Sequence, residues 1–257
     1  MNTPRPAERI DLSDKVALVT GASKGIGLAT ASAFAAAGAS VMISSRKQEA
    51  LDQAAAGIAT VGDAAVATFA ANAGDPEAAQ ACVDATMERF AKLDILVNNA
   101  ATNPHFGPTI EADLGRFDKT VQVNLRGPLV WSQAAWRASM ADHGGVIINV
   151  SSVGGLKHDG GIGIYNVTKA ALIHLTRVLA AELAPGVRVN ALAPGLVRTD
   201  FARALWEPDE SLAARRTPLA RIGVPDDIAG AAVFLVSDLS SWMTGQVVVV
   251  DGGALVA

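Results

Sequence analysis

Residues 15–27 read KVALVTGASKGIG. An apolar, β-branched run breaks at glycine and reopens at once as an Ala-rich, helix-forming stretch. Gly21 permits the tight turn, Gly25 lets a backbone approach a pyrophosphate, and Gly27 lets the new helix lie close on the strand behind it. The first N–H groups of that helix have no partners within it and carry partial positive charge, which suits phosphate. Because the triplet sits at the first strand-to-helix junction, it predicts a dinucleotide site involving Gly21, Ser23, Lys24, Gly25, Ile26 and Gly27.

The rest of the chain repeats this beat. Short β-branched runs at 15–20, 40–44, 64–69, 94–99, 145–150, 187–193 and 246–251 alternate with helix-forming stretches at 25–37, 47–58, 76–91, 112–140, 163–184 and 225–236. Alternation of this kind predicts strand–helix units feeding one parallel sheet. Runs such as ILV and VVVV are apolar on both faces, so helices cover both sides. The expected architecture is α/β: a single-domain, doubly wound Rossmann sheet of seven parallel strands spanning 15–257, preceded by an extension over 1–14. The longest irregular stretch, 194–224, suits a substrate lid over about 196–220.

Composition narrows the function. Of 257 residues half are hydrophobic but only 5% aromatic, and the formal net charge is -4 with no basic run. That gives no footprint for nucleic acid. No window holds the ~20 strongly apolar residues of a membrane helix, and the proline- and charge-bearing start MNTPRPAERIDLSDK does not read as a signal peptide. The lone cysteine, Cys82, fits a small buried hydrophobe in a reducing cytoplasm. The four histidines have no metal-ligand spacing, so no catalytic metal is expected.

The second strand ends ISSRKQ. A site preferring NAD usually places an acid here for the ribose 2′-hydroxyl. Ser44 and Ser45 carry no charge to repel a 2′-phosphate, while Arg46 and Lys24 can clamp one. NADP(H) is therefore expected over NAD(H).

Tyr165, the only tyrosine in the chain, precedes Lys169 by one helical turn in IYNVTKAAL. A cation on the same helix face favours phenolate, bringing a pKa near ~10 toward working pH. The fifth strand ends NVSSVGG, placing Ser152 at a carboxyl end, where open α/β sheets bind ligands. Its hydroxyl can hold a carbonyl oxygen while the phenol supplies a proton. Ser151 better suits turn capping. In TVQVNLRGPLVW, Pro128 has no N–H for the Asn124 carbonyl, so the helix should bulge there. A water at that carbonyl would link Lys169 to solvent protons.

In this order the motifs TGASKGIG, NNA (98–100), VNL with Asn124, Ser152, YNVTK and PGLVRT resemble the short-chain dehydrogenase/reductase family from Lys15 to Gly253. The look is nearest to NADP-dependent carbonyl reductases and to bacterial 3-oxoacyl-[acyl-carrier-protein] reductases. The resemblance implies a catalytic tetrad of Asn124, Ser152, Tyr165 and Lys169, with Tyr165 as general acid/base. It also implies cofactor contacts at Ser45, Arg46, Asn72, Asn98, Ala100, Pro194, Gly195, Val197 and Thr199, with Tyr165 and Lys169 beside the nicotinamide ribose. The family pattern further implies a homotetramer pairing 112–140 with 163–184 and using the C-terminal VVVVDGGALVA. Two departures stand out. Ala101 replaces the usual glycine of NNAG, so its turn must avoid glycine-favouring angles, and Asn72 stands where relatives often have aspartate.

Substrate walls are expected from ATNPHFGPTI, VGGLKHDGGIGI and the lid. His105, Ser152, Gly154, Leu205 and Trp206 are the candidate contacts, with Phe201 beside them, and the surface suits an uncharged, fairly apolar ketone or alcohol. Trp206 serves equally as a packing anchor for the lid. A dinucleotide sensor without turnover is the rival from another class, and the intact tetrad argues against it.

Overall fold

A computed structural model describes residues 10–58 and 65–257. Most of the predicted N-terminal extension, and Ala64 at the start of the third predicted strand, lie outside the described residues. The seven strands are β1 (Val16–Thr20), β2 (Ser40–Ser45), β3 (Val66–Ala70), β4 (Ile95–Asn98), β5 (Gly145–Val150), β6 (Val187–Pro194) and β7 (Val247–Val250). They form one parallel sheet in the order β3-β2-β1-β4-β5-β6-β7. Chain order reverses between β1 and β4, and the crevice opens there at the strands' carboxyl ends.

Period-two alternation sends neighbouring strand residues to opposite faces. Ala17 and Val19 of β1 join one apolar layer with Phe34, Ile228 and Leu235, while Leu18 joins the other with Cys82, Trp131 and Leu179. Cys82 is fully buried, and burial pushes its thiol up to about 12. It behaves as the small hydrophobe the sequence suggested.

The first layer is covered by α1 (Gly25–Ala36), α2 (Gln48–Ile58) and α10 (Pro225–Val236); the second by α3 (Pro76–Phe90), α5 (Gly127–Ala135) and α7 (Gly163–Glu182). Local chemistry sets several starts. Asp75 accepts from the Glu77 and Ala78 N–H groups ahead of Pro76, and Asp227 accepts from Val224 N–H behind Pro225. Both pair a cap with proline in the first turn, where its missing N–H matters least.

The predicted helix 112–140 is not uniform. It runs as α4 (Leu114–Val121), a five-residue π turn over Gln122–Arg126, then α5, a second π turn over Trp136–Met140 and the short α6 (Ala141–His143). The first π turn falls where Pro128 was expected to force a bulge, and it carries Asn124. The second has no proline behind it. It presents Ser139, whose buried hydroxyl accepts the Leu93 N–H at 3.1 Å ahead of β4.

Beyond β6 the chain leaves the sheet for 195–224, with two short helices, α8 (Arg203–Trp206) and α9 (Glu210–Ala214). Among the described residues, no helix is long and apolar enough to cross a membrane.

Candidate active site

The glycine turn adopts the geometry its sequence demanded. Gly21 (φ +64) and Gly25 (φ +60) lie in the left-handed region, and a Cβ on Gly27 would sit 2.5 Å from Asn99 Nδ2. The residue just before α1, Lys24, is extended and offers no side-chain cap. The helix start therefore keeps its N–H groups for a ligand, and a Cβ on Gly25 would crowd Thr199 at 3.3 Å. A dinucleotide phosphate fits that uncapped, glycine-lined cradle. Ser23 and Ile26 line it half-buried.

Opposite the turn, Thr20 Oγ1 accepts from the N–H groups of Asn99 (3.0 Å) and Ala100 (3.1 Å), and Asn99 Nδ2 donates to the Thr20 and Gly21 carbonyls. Asn98 takes a different place from the cofactor contact expected of it. It is buried beneath the site, where Nδ2 reaches Asn149 Oδ1 (2.9 Å), Ser132 Oγ (3.2 Å) and the Pro128 carbonyl (3.3 Å). Strand alternation explains the correction, since Asn98 points into the α5 layer and its neighbour Asn99 turns back to the glycines. Ala101 has no positive φ, so the turn avoids glycine's angles as required.

At the adenosine end of the expected site, Ser45 is half-buried at the end of β2 and Arg46 is exposed, with no hydrogen bond or ion pair within the described residues. Asn72 is exposed and its Oδ1 accepts the Gly74 N–H at 3.2 Å, which makes it a turn former. Lys24 is already engaged, its Nζ 2.9 Å from Asp200 Oδ2. Pro194 closes β6, and a Cβ on Gly195 would lie 2.7 Å from the Asp251 Cα. Val197 packs its side chain inside and pairs its backbone with Gly223.

The polar centre comes from β5, the first π turn and α7. Lys169 is almost wholly buried, and its Nζ donates to the Val150 carbonyl at 2.7 Å while lying 5.5 Å from the Tyr165 ring centroid. Ser152 lies near enough to the Tyr165 hydroxyl to favour its phenolate form. Asn124 is locked: Oδ1 accepts Thr102 N–H (2.8 Å), and Nδ2 donates to the Thr102 carbonyl (2.9 Å) and Thr168 Oγ1 (3.2 Å). Thr168 in turn donates to the Tyr165 carbonyl at 2.7 Å. The four tetrad positions thus form one connected cluster. Thr168 and Asn99 lie within the motifs YNVTK and NNA, but the sequence did not assign them these holding contacts.

Two expectations are reversed. Ser152, rather than Ser151, caps the following turn, accepting the Gly154 N–H at 3.1 Å, while Ser151 donates to the Lys169 carbonyl at 2.9 Å. Nor does Lys169 lower the phenol. Burial pushes Tyr165 up to about 12 against the lowering effect of Ser152, and burial brings Lys169 down to about 7. A lysine half-discharged near neutrality is a weak cation, so desolvation wins.

Around this centre the Phe201 ring lies 5.9 Å from that of Tyr165. Trp206 donates to the Thr199 carbonyl at 3.2 Å, anchoring the lid stem, and Leu205 is exposed. His105 is buried, its Nε2 3.1 Å from the Pro108 carbonyl, and so fastens its own loop. Gly154 is held tightly under Asn166, and a Cβ on Gly155 would come within 2.8 Å of the Lys169 carbonyl carbon. Among the described residues, no group of three or more His, Cys, Asp or Glu could hold a metal ion.

A doubly wound parallel sheet with an uncapped glycine turn at its switch point is the architecture of dinucleotide-binding proteins. Comparison with known proteins gives the finer class. The family model described as "Enoyl-(Acyl carrier protein) reductase" matches residues 21–254. Dehydrogenase/reductase SDR family member 4 of Homo sapiens is 41% identical over 249 residues, covering 95% of this chain and 89% of the relative. Among solved structures, a putative short-chain alcohol dehydrogenase from Sinorhizobium meliloti superposes with TM-score 0.92 at 38% identity, covering 97% of this chain and 99% of the other. Levodione reductase gives TM-score 0.91 at 32% identity, covering 95% and 99%.

The chain belongs to the short-chain dehydrogenase/reductase family. It is an oxidoreductase of CH–OH and C=O groups in small molecules, working with NAD(P)(H) as that family does.

Proposed function

We propose that the protein reduces an uncharged ketone, or oxidises the matching secondary alcohol, with NADP(H) as the preferred cofactor. The observation that carries this reading is the convergence of Ser152 at the end of β5 with Tyr165 and a buried Lys169, whose Nζ lies 5.5 Å from the Tyr165 ring centroid. Two converging hydroxyls suit a single carbonyl oxygen, one holding it and the other able to release a proton to it.

When bound, NADPH supplies hydride to the carbonyl carbon. Tyr165, protonated at neutral pH in the free protein, gives its proton to the oxygen as the C–O π electrons move there. Lys169, held on the Val150 carbonyl, stands where proton replacement through the Asn124 region would reach the phenol. The glycine turn with Ser23, Lys24 and Ile26, together with Ser45, Arg46, Asn72, Ala100 and the 194–199 stretch, would bind and orient the dinucleotide. Phe201, Leu205 and Trp206 would enclose an apolar substrate.

Arg46 and the absence of an acid in SSRKQ support NADP(H). The resemblance to 3-oxoacyl reductases keeps the 3-keto group of an acyl thioester as the second reading. The reading also includes a cytoplasmic homotetramer.

Cofactor consumption against a panel of ketones, quinones and acetoacetyl thioesters, run with NADPH and with NADH, tests these assignments. A kcat/KM at least tenfold higher with NADPH and a neutral ketone is expected. Equal use of the two cofactors removes the NADP assignment, and a thioester preference selects the second reading.

A further inference from the structure

Lys24 and Arg46 were paired by the sequence as two cations awaiting one phosphate, yet the fold treats them differently. Arg46 is free within the described residues. Lys24 reaches across from the glycine turn to Asp200, 176 positions away in sequence. Asp200 lies in the first part of the lid, and its other oxygen, Oδ1, takes Arg203 at 2.6 Å. Thr199, immediately before it, is the residue a Cβ on Gly25 would strike. Lid stem and cofactor turn therefore meet at this ion pair.

A lysine already paired with carboxylate presents less net charge to an arriving phosphate, and to serve it fully must part from its first partner. We propose that Asp200 is a cofactor-selectivity residue, which by holding Lys24 competes with the 2′-phosphate and moderates the preference for NADP(H) over NAD(H). The inference rests on the NADP reading of the strand end. Both members are exposed, at 68% and 50% of their side chains, so the pair is exchangeable. Exposed pairs move an equilibrium by no more than about fivefold. Lys24 and Arg203 hold the Asp200 carboxyl below its usual range, so the competitor stays charged throughout the neutral region.

The test is a fluorescence titration of NADPH and NADH into wild type, Asp200→Asn, Lys24→Ala and the double variant at low salt. Asp200→Asn is expected to tighten NADPH about two- to fivefold and leave NADH unchanged. That gain should vanish in the Lys24→Ala background, and added salt should shrink it. Weakening of both cofactors alike would make the pair a structural strap and overturn the proposal, as would no change with NADPH. A gain that persists without Lys24 would show Asp200 acting by its own charge, again against competition. If wild type binds NADPH and NADH equally, the NADP reading fails and this inference with it; if wild type prefers NADPH but the variants do not respond, only this inference fails.

Discussion

Lys169 shows how position on the backbone sets a residue's chemistry. Its ammonium has the Val150 carbonyl and a tyrosine ring for company and is cut off from water, so its pKa falls to about 7 from an ordinary value of 10.5. Folding then binds fewer protons than unfolding between those limits, and stability must rise with pH across that window. Cofactor-free wild type should therefore gain thermal stability relative to Lys169→Met from about pH 7 to pH 10, with the two profiles parallel below pH 6. Parallel melting profiles throughout would mean the ammonium is solvated in the folded state. Tyr165 acts with the opposite sign at higher pH: raised to about 12, it holds its proton in the fold after an unfolded phenol has lost it.

At the scale of elements, the close seating of β5's exit on α7 positions Lys169 and Tyr165. Gly155 makes that approach possible, because a Cβ there would lie 2.8 Å from the helix backbone. Gly155→Ala should destabilise by about 1–3 kcal/mol through overpacking and reduce kcat with it. Gly230, exposed within α10 with nothing in range of an added Cβ, should respond to alanine by gaining about 0.5–1 kcal/mol. Chemical denaturation of the two variants checks both signs. Period and punctuation made these elements legible: alternation of β-branched and Ala-rich runs gave seven strands in order, and Pro128 announced the π turn at Asn124. The second π turn had no such marker. Within the site, TGASKGIG and YNVTK declared themselves by spacing, whereas the adjacent Asn98, which ends β4, and Asn99, just beyond it, differ only in the side to which they turn. The contact of His105 with the Pro108 carbonyl depends on the path of an irregular loop and has no signature in the sequence. The reach of Lys24 to Asp200 spans most of the chain and left no local trace.

At the scale of the whole molecule, one subunit leaves apolar side chains in water along the surfaces expected to associate. Leu114 and Phe117 on α4 and Val167 and Val178 on α7 are exposed, as are Val249 and Val256 near the C-terminus. Exposed apolar side chains on these elements suit association. Light scattering after size exclusion should give about four times the 26.3 kDa chain, and Phe117→Glu with Val167→Glu should yield smaller species. A monomeric wild type would leave those side chains to another purpose. The central claim concerns a single hydroxyl, and Tyr165→Phe tests it most directly when kcat and cofactor affinity are measured on the same preparation. The predicted result is a kcat lowered by about 10²–10⁴ with NADPH affinity within twofold of wild type; turnover close to wild type would contradict proton transfer from Tyr165.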